Sequence, residues 1–157
     1  IAAVMEGAVA FSFSLVPFFL IAGFSNGDWP GLHTLVLIPA FGFHTLFNLG
    51  LSLLVAQLVI PFRDIGNVMG HLSRIWMYLS PVIYPVDERL QNAPETLIRI
   101  LQFNPMAAIL GLYRTALLGD PSQAYHWWSS AGWAVGLLLL AALTFRRMEH
   151  KLPRYLA

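Results

Sequence analysis

From Trp29 to Phe62 the chain carries no aspartate, glutamate, lysine or arginine. Glu6 and Asp28 bracket a second uncharged stretch. About 20 apolar residues in a helix cross the roughly 30 Å hydrocarbon core of a bilayer, and both stretches are longer. Inside hydrocarbon each backbone N–H and C=O must find its partner within the protein, and a helix provides those partners locally. Composition agrees: 57% of the 157 residues are hydrophobic and 11% charged, against about a quarter charged in a soluble domain. With a mean hydropathy of +0.65, the reading is an all-α, polytopic transmembrane helical bundle.

Four segments qualify as spans by length: residues 4–24, 32–62, 65–84 and 126–145. The polar turn "SNGDWPG" separates the first two. The second is long, so a tilt or a kink at Pro39 is expected. The last span opens on Trp127 and Trp128 and closes on Arg146 and Arg147, the usual aromatic and basic anchors. Basic residues set the orientation. Arg146, Arg147, Lys151, Arg154 and, counting back through the spans, Arg63 fall on the cytoplasmic side. Arg89, Arg99 and Arg114 fall outside and disagree with the rule. The chain begins with Ile1 and shows no signal-peptide pattern, so it reads as the C-terminal part of a longer protein.

Residues 85–125 require a different account. "NAPETLIRILQF" reads as a short helix over 93–103, with Asn92 as its cap and Pro94 in its first turn. "NPMAAILGLYRTALLG" reads as another over 105–118, capped by Asn104, begun by Pro105 and stopped by Gly119. At 1.5 Å per residue neither crosses a bilayer. One reading is a re-entrant hairpin that dips in from outside and returns, shielded by protein or a water-filled cavity. The other is a pair of amphipathic helices lying on the outer surface.

On the third span Asn67, His71, Arg74 and Tyr78 share one helical face, with Trp76 opposite. An arginine facing lipid costs about 2.5 kcal/mol or more, so this face should look into a bundle or a wet cavity. Arg74 then either meets an anionic substrate group, or pairs with a carboxylate elsewhere or snorkels to the interface. Arg63 and Asp64 mark the turn before the span. Asp64 reads as a helix cap and Arg63 as a lipid-phosphate contact, with a cytoplasmic partner as the functional alternative. Ser80, Pro81 and Pro85 end the span, as a kink or as part of a gate. His44, Asn48 and Ser52 form a polar stripe on the second span, read as helix glue or as a proton relay. Gly132 and Gly136 form a GxxxG pattern that permits close helix packing.

Zero cysteines excludes disulfides and thiolate chemistry. The scattered histidines make no metal site, and no phosphate-cradling loop or nucleophile motif is present. A net charge of +1 with no basic, aromatic-interleaved stripe gives no footing for nucleic acid.

Taken together, "PFRDIGNVMGHLSRIWMYLSPVIYP", "LQFNPMAAILGLYRTALLG" and the ending "FRRMEHKLPRYLA" resemble the membrane subunit of ABC exporters of polysaccharide, O-antigen and teichoic acid type. Arg63-Asp64-Ile65, Ser80 to Tyr84, Asn104-Pro105 and Tyr113-Arg114 carry the likeness. The resemblance implies six spans, of which this chain holds the last four, and a re-entrant pair before the final one. It implies a homodimer, two cytoplasmic ABC ATPase subunits that bind ATP and Mg, no cofactor in this chain, and a lipid-linked glycan moved across the bacterial cytoplasmic membrane. Under it, Arg74, His71, Asn67, Tyr78 and Tyr84 are expected along the substrate path. Ser80, Pro81, Asn104, Pro105, Tyr113 and Arg114 are expected at an outer gate, and Arg63 and Asp64 on the ATPase side. Phe11 and Phe18 join Tyr78 and Tyr84 as aromatics for stacking on sugar rings. A drug or small-lipid exporter would share the fold. A membrane-embedded glycosyl or acyl transferase would need His44 or His71 as a base with an acid partner at the same depth, which the sequence does not supply. A purely structural anchor leaves the polar face and the capped short helices without a purpose.

Overall fold

The computed structural model describes residues 1–26, 29–62, 64–80 and 94–149. The described residues are helical and hold no strand. In chain order the α-helices are α1 (Ala2–Asn26), α2 (Leu37–Val59), α3 (Ile65–Leu79), α4 (Glu95–Phe103), α5 (Pro105–Leu118) and α6 (Ala124–Glu149). A 3-10 turn over Leu32–Val36 leads into α2, so Pro39 falls in the first α-turn, where its missing N–H costs least.

Among the described residues three helical stretches are long and apolar enough to cross a membrane: Ala2–Phe24, Leu32–Val59 and Ala124–Arg147. They match three of the four expected spans to within a few residues. The fourth, expected over 65–84, is helical through its 15 residues Ile65–Leu79, about 22 Å. It leaves the helix at Ser80, which is extended (φ −85°, ψ 135°), and residues 81–93 lie outside the described residues.

The largest interface joins α2 and α6. Gly50 meets Leu137 and Leu138, and further along the Gln57 side-chain amide donates to the Ala141 carbonyl at 3.0 Å. Rising numbers on both helices show that they run the same way. α3 runs against α2, with Trp76 edge-on to Phe47 at 6.2 Å. α5 runs against α6 and is the best-buried helix; Ala108, Ile109, Leu112 and Ala116 are all shut off from the surface. α1 touches the rest mainly through Phe11, which stacks on Phe41 at 5.8 Å and leans on Tyr113 at 5.2 Å. Phe13, Val16 and Ile21 of α1 are exposed, as lipid-facing residues are, while Leu15, Phe18 and Phe19 are half-buried.

Glycine sets the closest approaches. A Cβ at Gly50 would lie 2.9 Å from the Leu138 backbone nitrogen, and one at Gly111 would clash with the His126 ring. At Gly132 and Gly136 nothing lies within 4 Å, so the GxxxG pattern makes no close helix contact among the described residues. Gly50→Ala should therefore cost about 1–3 kcal/mol, because backbone cannot yield as a side chain does. Gly132→Ala should be neutral or stabilising by under about 1 kcal/mol. Thermal unfolding of the two variants in detergent checks the contrast, and equal midpoints would refute the packing described for α2 and α6.

Candidate functional site

The chain reverses direction at Asn104. Its backbone is extended (φ −65°, ψ 121°), and its side-chain oxygen accepts the Met106 N–H at 3.0 Å. Pro105 follows at the first helical position, where no N–H is missed. This is the cap the sequence predicts. At the other end Gly119 sits at φ 77° and returns its N–H to Thr115, the left-handed stop expected of glycine. Asn92, expected to cap the preceding helix, lies outside the described residues.

The elbow between α4 and α5 packs against α6. The Trp133 indole N–H donates to the Phe103 carbonyl at 3.2 Å, and their rings meet edge to face at 5.3 Å. Trp133 is six residues beyond Trp127, or about 9 Å along the helix. α3 reaches the same place from the opposite end, because the Asn104 amide donates to the Ser80 hydroxyl at 3.3 Å. Ser80 is only 3% exposed. Leu72, Ile75 and Trp76 of α3, with Phe103, Pro105 and Trp133, line a cavity of about 350 Å³ at this junction.

Of the residues expected at an outer gate, Ser80, Asn104 and Pro105 thus converge. Tyr113 lies two turns further along α5, buried in the core, where its hydroxyl meets His44 Nδ1 at 3.1 Å. Arg114 beside it is half-buried. Pro81, Tyr84 and Arg63 lie outside the described residues, as does the Asn67 side chain.

The polar face of α3 stands otherwise than a bundle-facing stripe would. Trp76 turns inward to Phe47, while His71, Arg74 and Tyr78 are exposed, Tyr78 by 70%. Among the described residues Arg74 has no ion-pair partner. The face therefore looks away from the rest of this chain. Asp64 corrects a smaller expectation: it occupies the N-cap position but its side chain makes no capping bond.

The polar stripe on α2 divides. His44 joins α2 to α5 through Tyr113, as helix glue does. Thr45, Asn48 and Ser52 instead line a groove against α1. Gln57 was missed by the sequence reading, yet it is a buried amide bonded across to α6. A lone amide in the apolar run "LLVAQLVI" was the available signal. Among the described residues no group of His, Asp and Glu could hold a metal ion.

Over 99 residues, 63% of its length, the chain is 26% identical to the O-antigen export system permease protein RfbA of Myxococcus xanthus. This chain is a distant relative of an O-antigen export permease. The aligned stretch spans 37% of that relative, under two thirds of its length. No family profile matches the chain, and no solved structure matches it.

Asn104 caps α5 at the elbow, which gives a direct test. Asn104→Ala should cost about 1 kcal/mol of stability through the lost cap, and it also removes the bond to Ser80. Asn104→Ser retains a capping oxygen and should recover most of the stability. Urea or thermal unfolding in detergent checks both variants, and an Ala variant as stable as wild type would remove the cap from the account.

Proposed function

We propose that this chain is the C-terminal part of a permease subunit that exports an O-antigen-type polysaccharide across the bacterial cytoplasmic membrane. The observation that carries this reading is the elbow at Asn104, half-buried, packed on Trp133 of α6 and joined to the end of α3, in a chain similar to an export permease. A short capped hairpin sunk into a bundle leaves a break in the hydrophobic barrier that protein, not lipid, must close. Such a break suits a gate and serves no purpose in an anchor.

In this reading α4 and α5 form the outer gate and Ser80, Asn104 and Pro105 its hinge, with Tyr113 and Arg114 behind it. The outward face of α3, with His71, Arg74 and Tyr78, lines the path, and a second copy of the permease supplies the facing wall. A guanidinium on that face suits the phosphate of a lipid-linked glycan. The chain makes and breaks no covalent bond. ATP and Mg act on two separate cytoplasmic ATPase subunits, near the turn at Arg63 and Asp64.

Arg74→Leu should reduce surface polysaccharide to a small fraction of the wild-type level, while the variant still assembles in the membrane and still binds its ATPase. Immunoblotting of surface glycan alongside co-purification of the ATPase reads both. Undiminished export in that variant would take Arg74 off the path.

A further inference from the structure

Between α1 and α2 lies a groove of about 440 Å³, within the 300–1,000 Å³ typical of small-molecule sites. His44, Thr45, Asn48 and Ser52 of α2 line one wall, over the central part of Leu32–Val59. The α1 wall is made of small residues, and around Gly7 nothing lies within 4 Å of where a Cβ would stand. Phe11 and Phe41 close one end.

The groove lies along two helices long and apolar enough to cross a membrane, yet beside Phe41 and Leu51 its α2 wall carries an amide, two hydroxyls and an imidazole. His44 has Tyr113 as a partner. Among the described residues the side chains of Thr45, Asn48 and Ser52 have none. Polar groups left bare to acyl chains are costly, so lipid is a poor occupant. No lysine or arginine lines the groove, so a phosphate would find no counter-charge. Neutral donors and acceptors beside aromatic rings match a neutral, hydroxyl-rich ligand that also presents C–H faces. We propose that this groove is a hydrated site for neutral sugar hydroxyls, separate from the Arg74 face. The assignment deepens the export reading and rests on it.

The chain described has no cysteine of its own, so thiols are introduced into it one at a time, with any cysteine elsewhere in the transporter replaced by serine. Thr45→Cys, nearly isosteric, and Asn48→Cys and Ser52→Cys are placed in the whole transporter. Membranes opened on both faces are then treated with a charged, membrane-impermeant methanethiosulfonate. Leu139→Cys, on the lipid-exposed side of α6, and Gln123→Cys, in the exposed turn before it, are the unreactive and reactive controls. All three groove thiols should react. In membranes from cells that make the polysaccharide, they should react about tenfold more slowly than in membranes from cells blocked in its synthesis, as mass action gives for a well-occupied site. Gly7→Leu, which fills the groove without touching its polar wall, should abolish that protection. Groove thiols as inert as Leu139→Cys would overturn the hydrated site, and equal rates with and without polysaccharide would overturn the sugar assignment. Failure of the export reading is seen separately, as normal surface polysaccharide in a strain lacking the permease.

Discussion

In hydrocarbon a backbone group without a partner costs several kcal/mol, and that single constraint organises this bundle. Every place where a helix stops below the membrane surface must provide substitute bonds. At the elbow, Asn104 takes the Met106 N–H, Trp133 gives its indole N–H to Phe103, and the Asn104 amide reaches Ser80. Side chains of separate helices thereby share one polar node at the edge of an otherwise apolar core. Each of these bonds uses a side chain, so the node joins the helices without unwinding any of them.

The scaffold around the node is built differently. α2 and α6 approach through the bare backbone at Gly50 and are tied by Gln57 to Ala141. Without a hydrophobic drive between helices, such close packing and a few interhelical hydrogen bonds hold a membrane bundle together. α5 is wedged beside this pair, its Gly111 admitting the His126 ring. α1 is held far more loosely, through Phe11, and that looseness leaves the polar groove open along α2. Rigid and yielding parts are thus divided between helices.

The helices were legible because their signals are local. Uncharged runs gave the long helices, and Asn104, Pro105 and Gly119 gave both ends of α5, since capping involves neighbours in sequence. The convergence of Ser80 with Asn104 was legible only as a shared list of expected gate residues. The direction of the α3 face was not legible. A helical wheel separates Trp76 from Arg74 but does not say which side meets the protein, and packing on Phe47 decided that. GxxxG misled because small residues permit close packing without demanding it, and the close approach formed at a solitary glycine instead.

The sequence by itself determined that this chain is a helical membrane bundle with a capped hairpin too short to span, because hydrophobic length and terminal hydrogen bonding are properties of contiguous residues. Only the tertiary structure decided what the elbow at Asn104 packs against, which glycine brings two helices together, and which polar side chains face a groove rather than a partner. Those outcomes depend on contacts between residues far apart in the chain, where many side chains of similar polarity compete and shape alone selects among them.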